Sequence, residues 1–144
     1  MLTENYPTAS RNYQTIQLMT NSLLPFFTPR GVAIVGASAD PTKLGYGVAR
    51  NLIQSQYHGA IHLVNPKGGN LMGRPMRTSL AEVPDPVDLA VLIVPATAVS
   101  VALADCGARG IRAAIIMAGG FREIGPAGAA LEDEILRIVG QSAR

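Results

Sequence analysis

Four short runs of apolar, largely β-branched residues constrain this chain more than any other feature. They are Val32-Ala33-Ile34-Val35, Ala60-Ile61-His62-Leu63-Val64, Leu89-Ala90-Val91-Leu92-Ile93-Val94 and Ala113-Ala114-Ile115-Ile116-Met117. Only the second is interrupted, by His62; the other three are continuously apolar. A strand apolar on both faces must be covered on both, which is the situation inside a parallel sheet flanked by helices. Stretches with helical spacing lie between and after the runs. Val48, Leu52 and Ile53 share a face before Gly59; Val99, Val101, Ala102 and Cys106 precede Gly107 and Gly110; Leu131, Ile135, Ile138 and Val139 form a last stripe. A shorter turn, Ser79 to Val83, precedes Pro84. Strand and helix thus alternate four times, and right-handed crossovers turn that alternation into an open, doubly wound α/β sheet. The expected strands are 32–36, 60–64, 88–94 and 113–117, all parallel, in the spatial order third-second-first-fourth.

The chain has 144 residues, enough for one domain with a sizeable core. Hydrophobic residues make up 48% and charged residues 15%, which excludes a disordered, charge-rich chain. The expected organisation is a flexible or helical arm over 1–22 and a single Rossmann-like domain of four strands over 23–144, with the apolar Leu23-Leu24-Pro25-Phe26-Phe27 pinning the arm to the body. The one cysteine, Cys106, permits no internal disulfide framework and suits a reducing cytosol. No apolar run approaches the roughly 18 residues of a membrane span, and the start lacks a basic segment followed by an apolar one. A soluble, cytoplasmic protein without membrane contact is expected.

In doubly wound sheets ligands bind at the carboxyl ends of the strands, so the residues after each run are the candidate site. Gly36-Ala37-Ser38 follow the first, with Lys43 and Gly45-Tyr46-Gly47 opening the next helix. Asn65-Pro66-Lys67-Gly68-Gly69 follow the second, Pro95-Ala96 the third, and Ala118-Gly119-Gly120-Phe121-Arg122-Glu123 the fourth. Glycine lets backbone approach a ligand closely, and a helix N-terminus offers free N–H groups to phosphate. Glycine in strand-to-helix turns is also a plain requirement of the fold, which accounts for Gly36 but not for Lys67 or Gly119-Gly120. The net charge of +2 is too mild for a nucleic-acid binder. Between residues 36 and 77, however, Lys43, Arg50, Lys67, Arg74 and Arg77 face only Asp40. That cluster suits a small phosphorylated ligand, and equally a solvated basic face.

A dinucleotide site would need G-x-G-x-x-G at the first turn and an acid after the second strand. Here Gly36 is followed by Ala37-Ser38 and the next glycine is Gly45, while Asn65-Pro66-Lys67 stands where the acid belongs. NADP could use the lysine, but the glycine pattern remains broken.

From about Leu24 onward the chain resembles the CoA-binding domain of the NDP-forming acyl-CoA synthetases, the group of ADP-forming acetyl-CoA synthetase and, more distantly, the succinyl-CoA ligase α subunit. The residues that carry the resemblance are Pro25-Phe26-Phe27-x-Pro29-Arg30-x-Val32-Ala33-Ile34-Val35-Gly36-Ala37-Ser38, Gly45-Tyr46, Val64-Asn65-Pro66-Lys67, Gly73-x-Pro75, Asp88-Leu89-Ala90-Val91, Val94-Pro95-Ala96 and Ala118-Gly119-Gly120-Phe121-x-Glu123. The resemblance implies coenzyme A as the cofactor, in a pathway where nucleotide phosphorylates a histidine, the phosphoryl group passes to a carboxylic acid, and the CoA thiol displaces phosphate. It implies that Gly36, Ala37, Ser38, Lys43, Gly45 and Tyr46 hold the ligand beside the first helix, and that Lys67, with Val64, Asn65 and Pro66, meets a CoA phosphate. Val94, Pro95 and Ala96 would line the path of nucleotide or pantetheine. Gly119, Gly120 and Phe121 would form the turn near the thiol, with Glu123 an accessory facing the phosphohistidine.

The family's domain continues into another strand and a Gly-Pro-Asn turn that this sequence lacks. The phosphorylated histidine and the nucleotide-grasp domain are absent as well, so no catalytic residue is expected within the chain. His58 and His62 are expected in structural or surface roles, and Cys106 as a core thiol. The resemblance therefore implies a piece of a ligase that binds CoA or acyl-CoA, is inactive alone, and works with the missing domains or subunit. A regulatory CoA-binding module of a protein acetyltransferase and a stand-alone CoA-binding protein remain alternatives, as, more remotely, does a dehydrogenase. No metal is expected. An open sheet edge could let a second copy pair.

Overall fold

A computed structural model of the protein describes residues 22–142; the expected arm lies outside them but for its last residue. Residues 22–27 are helical (α1). There follow β1 (Gly31–Val35), α2 (Leu44–Gln54), β2 (Ala60–Val64), β3 (Asn70–Leu71), β4 (Arg74–Arg77), β5 (Leu89–Leu92), α3 (Ala96–Arg109), β6 (Ala113–Ile116) and α4 (Pro126–Ser142). Single 3-10 turns stand at Leu80–Glu82 and Arg122–Ile124.

The doubly wound sheet is present, with two corrections. It has six strands, not four, because β3 and β4 form a hairpin after β2. The order is β3-β4-β2-β1-β5-β6, so the four expected strands stand second-first-third-fourth and not third-second-first-fourth. One cause explains both. Strand β4 pairs in parallel with the outer side of β2, Leu63 opposite Met76 and Val64 opposite Arg77. That edge being filled, the chain crosses beneath β1 and lays β5 on its far side, Val32 opposite Leu89 through Val35 opposite Leu92. Strands β1, β2, β4, β5 and β6 are parallel, so their carboxyl ends share one edge.

Both faces are packed. Val32, Ile34, Leu63, Met76 and Val91 meet α2 through Ala49, Val48 and Leu52, while Ala33, Val64, Ala90 and Leu92 meet α3 and α4 through Val99, Ala102, Leu103, Cys106 and Ile135. Val101, expected on the buried stripe of α3, is exposed, as is Val139 on α4, because each helix meets the sheet along a narrower face than the apolar residues alone suggest. Helix α2 stops at Gln54, so His58 lies in the following loop and not at the helix end. His62 Nε2–H donates to the Pro86 carbonyl at 2.9 Å, a structural bond between β2 and the segment entering β5. At the amino edge Arg30 grips Asp88 through Nε and Nη2 at 2.8 and 2.7 Å. Among the described residues no helix is long and apolar enough to cross a membrane.

Candidate functional site

The carboxyl edge is a row of hydrogen bonds running strand to strand. Met117 N–H donates to Leu92, Ile93 to Val35, Gly36 to Val64 and Asn65 to Arg77, all at 2.8 to 2.9 Å. Five strand ends therefore stand side by side along about 19 Å, given about 4.8 Å between neighbours. The chain turns toward α2 after β1 and toward α3 after β5, which are adjacent, so the reversal point and its crevice lie between these two loops.

Gly36 sits at that point with φ +93°, and a Cβ there would stand 2.0 Å from the Ile93 carbonyl oxygen, so no other residue fits without moving one loop. Gly45, in the first turn of α2, packs as tightly: its Cβ would stand 1.9 Å from the Gly36 carbonyl oxygen. The N-terminus of α2 is thereby pressed against the loop after β1. Lys43 stands at its N-cap position, no acid occupies its first turn, and the Tyr46 and Gly47 N–H groups bond back to the Lys43 carbonyl at 3.1 and 3.4 Å, with the Leu44 and Gly45 N–H groups ahead of the first helical bond. Ser38 Oγ accepts from the Asp40 N–H at 3.0 Å, which leaves the hydroxyl hydrogen to donate elsewhere.

Asn65 ties this loop to the next. Its Nδ2 donates to the Ala37 carbonyl at 2.8 Å and its Oδ1 accepts from the Lys67 N–H at 2.9 Å. The side-chain amide is thus occupied at both ends by backbone, and its evident work is to position Ala37 and Lys67. The Lys67 side chain is exposed and, among the described residues, has no ion-pair partner. Tyr46 is half-buried against the α2 core, with the Arg50 guanidinium 5.8 Å from its ring centre.

At the other end of the row, Gly120 has φ +103°, and a Cβ there would lie 3.5 Å from Ala96 Cβ in the first turn of α3. The Gly120 N–H donates to the Glu123 carboxylate. That bond, followed by those from the Glu123 and Phe121 N–H groups, holds the Glu123 carboxyl below its usual value. Glu123 therefore acts as a staple for the Gly119-Gly120-Phe121 turn. Val94 is half-buried between the ends of β5 and α3, with Pro95 capping α3.

The basic cluster divides. Lys43, Lys67 and Arg77 stand at the carboxyl edge, whereas Arg74 begins β4 at its opposite end and Arg50 lies along α2. Arg77 was legible in the sequence only as part of a charge run, because Arg74-Pro75-Met76-Arg77 does not look like a strand. Away from this edge, an apolar groove of about 570 Å³ between α1, α3, α4 and β6 reaches the amino end of β6 and carries one charged residue, Arg112. It contains none of the loops described above. Cys106 lines it, and burial, with Asp105 nearby, pushes its thiol up to about 11. Among the described residues no cluster could hold a metal ion.

The profile of the CoA binding domain matches residues 30–143. The α subunit of acetate–CoA ligase [ADP-forming] I from Pyrococcus furiosus is 42% identical over 119 residues, covering 80% of this chain and 26% of that protein. Acetate–CoA ligase [ADP-forming] I from Archaeoglobus fulgidus is 37% identical over 112 residues, covering 78% of this chain and 16% of the relative. The apo structure of the dinucleotide forming acetyl-coenzyme A synthetase 1 of Ca. Korarchaeum cryptofilum superposes with TM-score 0.78 at 37% identity, covering 83% of this chain and 26% of that one. The chain thus spans about a quarter or less of the length of these relatives. Its fold, its carboxyl-edge architecture and these matches together show that the chain belongs to the CoA-binding domain family, of the kind that ADP-forming acyl-CoA ligases carry.

Proposed function

We propose that the carboxyl edge holds coenzyme A in an extended pose for an ADP-forming acyl-CoA ligase. The nucleotide end lies over the loops after β1 and β2, and pantetheine runs past Val94-Pro95-Ala96 toward Gly119-Gly120. Gly36, Ala37, Ser38 and Gly45 bring backbone and the N-terminus of α2 to the phosphates, and Lys67 supplies the charge. On this reading the chain contributes binding and orientation, while the phosphohistidine and nucleotide site belong to ligase domains or a subunit that work beside it. Glu123 keeps the turn nearest the thiol in shape. The single unpaired Cys106 supports a cytoplasmic setting, and the β6 edge, which pairs with no further strand among the described residues, is the surface on which a second copy would pair.

The observation that carries the reading is Lys67, without an ion-pair partner among the described residues, on an edge whose glycines admit a bulky anion. Calorimetric titration with CoA, NAD and NADP tests it. CoA should bind most tightly; tighter binding of either dinucleotide overturns the proposal.

A further inference from the structure

From the edge of the sheet we infer that Arg77 is a specificity residue of the CoA site, holding the 3′-phosphate of the 3′-phosphoadenosine end. The inference rests on the CoA reading above and extends it to a residue outside the motifs that carry the family resemblance.

Arg77 ends β4 in register with Val64, and its carbonyl accepts the Asn65 N–H at 2.9 Å, so its backbone is fixed in the same row as the other site loops. Met76 turns into the core beneath α2. Alternation along the strand then puts Arg77 on the opposite face, exposed at the carboxyl end of the strand. The loop bearing Lys67 folds over this end of β4. Met76 N–H donates to the Gly69 carbonyl at 2.8 Å, and a Cβ on Gly68 would lie 3.9 Å from Thr78 Cγ2 and 4.0 Å from the Met76 carbonyl oxygen. Residues 66–69 and 76–78 are therefore packed together, with a cation on each.

Neither cation is neutralised. Glu82, the acid nearest in sequence, is engaged by Thr78, whose N–H and Oγ1 donate to its two oxygens at 3.2 and 2.9 Å. Among the described residues Arg77 has no ion-pair partner. A guanidinium and an ammonium on adjoining segments, neither ion-paired among the described residues, favour a dianionic phosphate monoester over the singly charged links of a pyrophosphate, and the planar fork of the guanidinium takes two phosphate oxygens at once. Arg77 also stands farthest from the reversal point, beyond Lys67, where the ligand's terminal group belongs if its pyrophosphate sits at α2.

The test is calorimetric titration of the full chain with CoA and with dephospho-CoA, which lacks the 3′-phosphate. Arg77→Ala should weaken CoA binding at least tenfold and leave dephospho-CoA affinity unchanged. Arg77→Lys should recover only part of the loss, since the two-oxygen contact is gone. Arg74→Ala, at the other end of the same strand, should bind both ligands as the unsubstituted chain does. Circular dichroism confirms that each variant is folded, as expected for exposed side chains. Equal weakening of both ligands by Arg77→Ala, no weakening of either, or a loss in Arg74→Ala as large as in Arg77→Ala would each overturn the assignment and leave CoA binding standing. Failure of the unsubstituted chain to bind CoA would instead overturn the underlying reading, and this inference with it.

Discussion

Replacing Asn65 with alanine should loosen the site and lower stability together. The side chain makes two hydrogen bonds to backbone, one to the Ala37 carbonyl at 2.8 Å and one from the Lys67 N–H at 2.9 Å. Ala37 is fully buried, so its carbonyl loses a partner where water enters poorly, at a cost of about 1–3 kcal/mol. The Lys67 N–H is exposed and water replaces its acceptor, which adds about 0.5 kcal/mol. The sum is roughly 1.5–3.5 kcal/mol, or a fall in melting temperature of about 3–14 °C for a domain near 150 residues. Urea denaturation and thermal melting followed by circular dichroism measure it. Asn65→Asp keeps the acceptor for Lys67 N–H but turns a carboxylate oxygen toward the Ala37 carbonyl, so it should be no more stable than the alanine variant. CoA affinity should fall in both, because the loop after β1 is no longer tied to the loop after β2. If Asn65→Ala melts within 1 °C of the unsubstituted chain, the clamp contributes nothing to folding and the reasoning is refuted.

Lys67→Ala should weaken CoA binding tenfold to a hundredfold, the loss of one charge-assisted contact of about 1.5–3 kcal/mol, with little change in melting temperature; unchanged affinity would make the lysine part of a solvated face. Gly45→Ala drives a Cβ to 1.9 Å from the Gly36 carbonyl oxygen, so α2 must shift off the β1 loop; it should lower stability by about 1–3 kcal/mol and abolish measurable CoA binding, and an unimpaired variant would contradict the packing. The Arg30 guanidinium, through its hydrogen bond, holds the Asp88 carboxyl down from 3.8 to about 2. A depressed acid stabilises the fold above its unfolded pKa and loses that contribution as pH falls through the folded one, so the unsubstituted chain should lose stability between about pH 4 and 2 more steeply than Asp88→Asn. Parallel acid limbs in pH-dependent urea titrations would count against the pair.

What the sequence determined by itself is the layered plan. Continuous apolar runs such as Leu89-Ala90-Val91-Leu92 must be buried on both faces, and helical spacing between them forces crossovers. Those are local constraints, and they placed all four main strands, three helices and the loops at the carboxyl edge where Gly36, Lys67 and Gly120 stand. The order of the strands is a different kind of fact. Strands β1 and β5 are equally apolar, and nothing in either tells which neighbours it takes; the hairpin decides, by filling the outer edge of β2. That hairpin is hidden in the sequence because only Leu71 and Met76 turn inward, the other residues of its two strands are polar or proline, and β4 is a strand only by virtue of its partners. Its pairing brings Arg77 into line with Asn65, and only the tertiary fold shows that Asn65 clamps two loops and that Glu123 staples a turn. Apolar burial is read along the chain, whereas the position of a polar side chain depends on which backbone groups the fold brings to it.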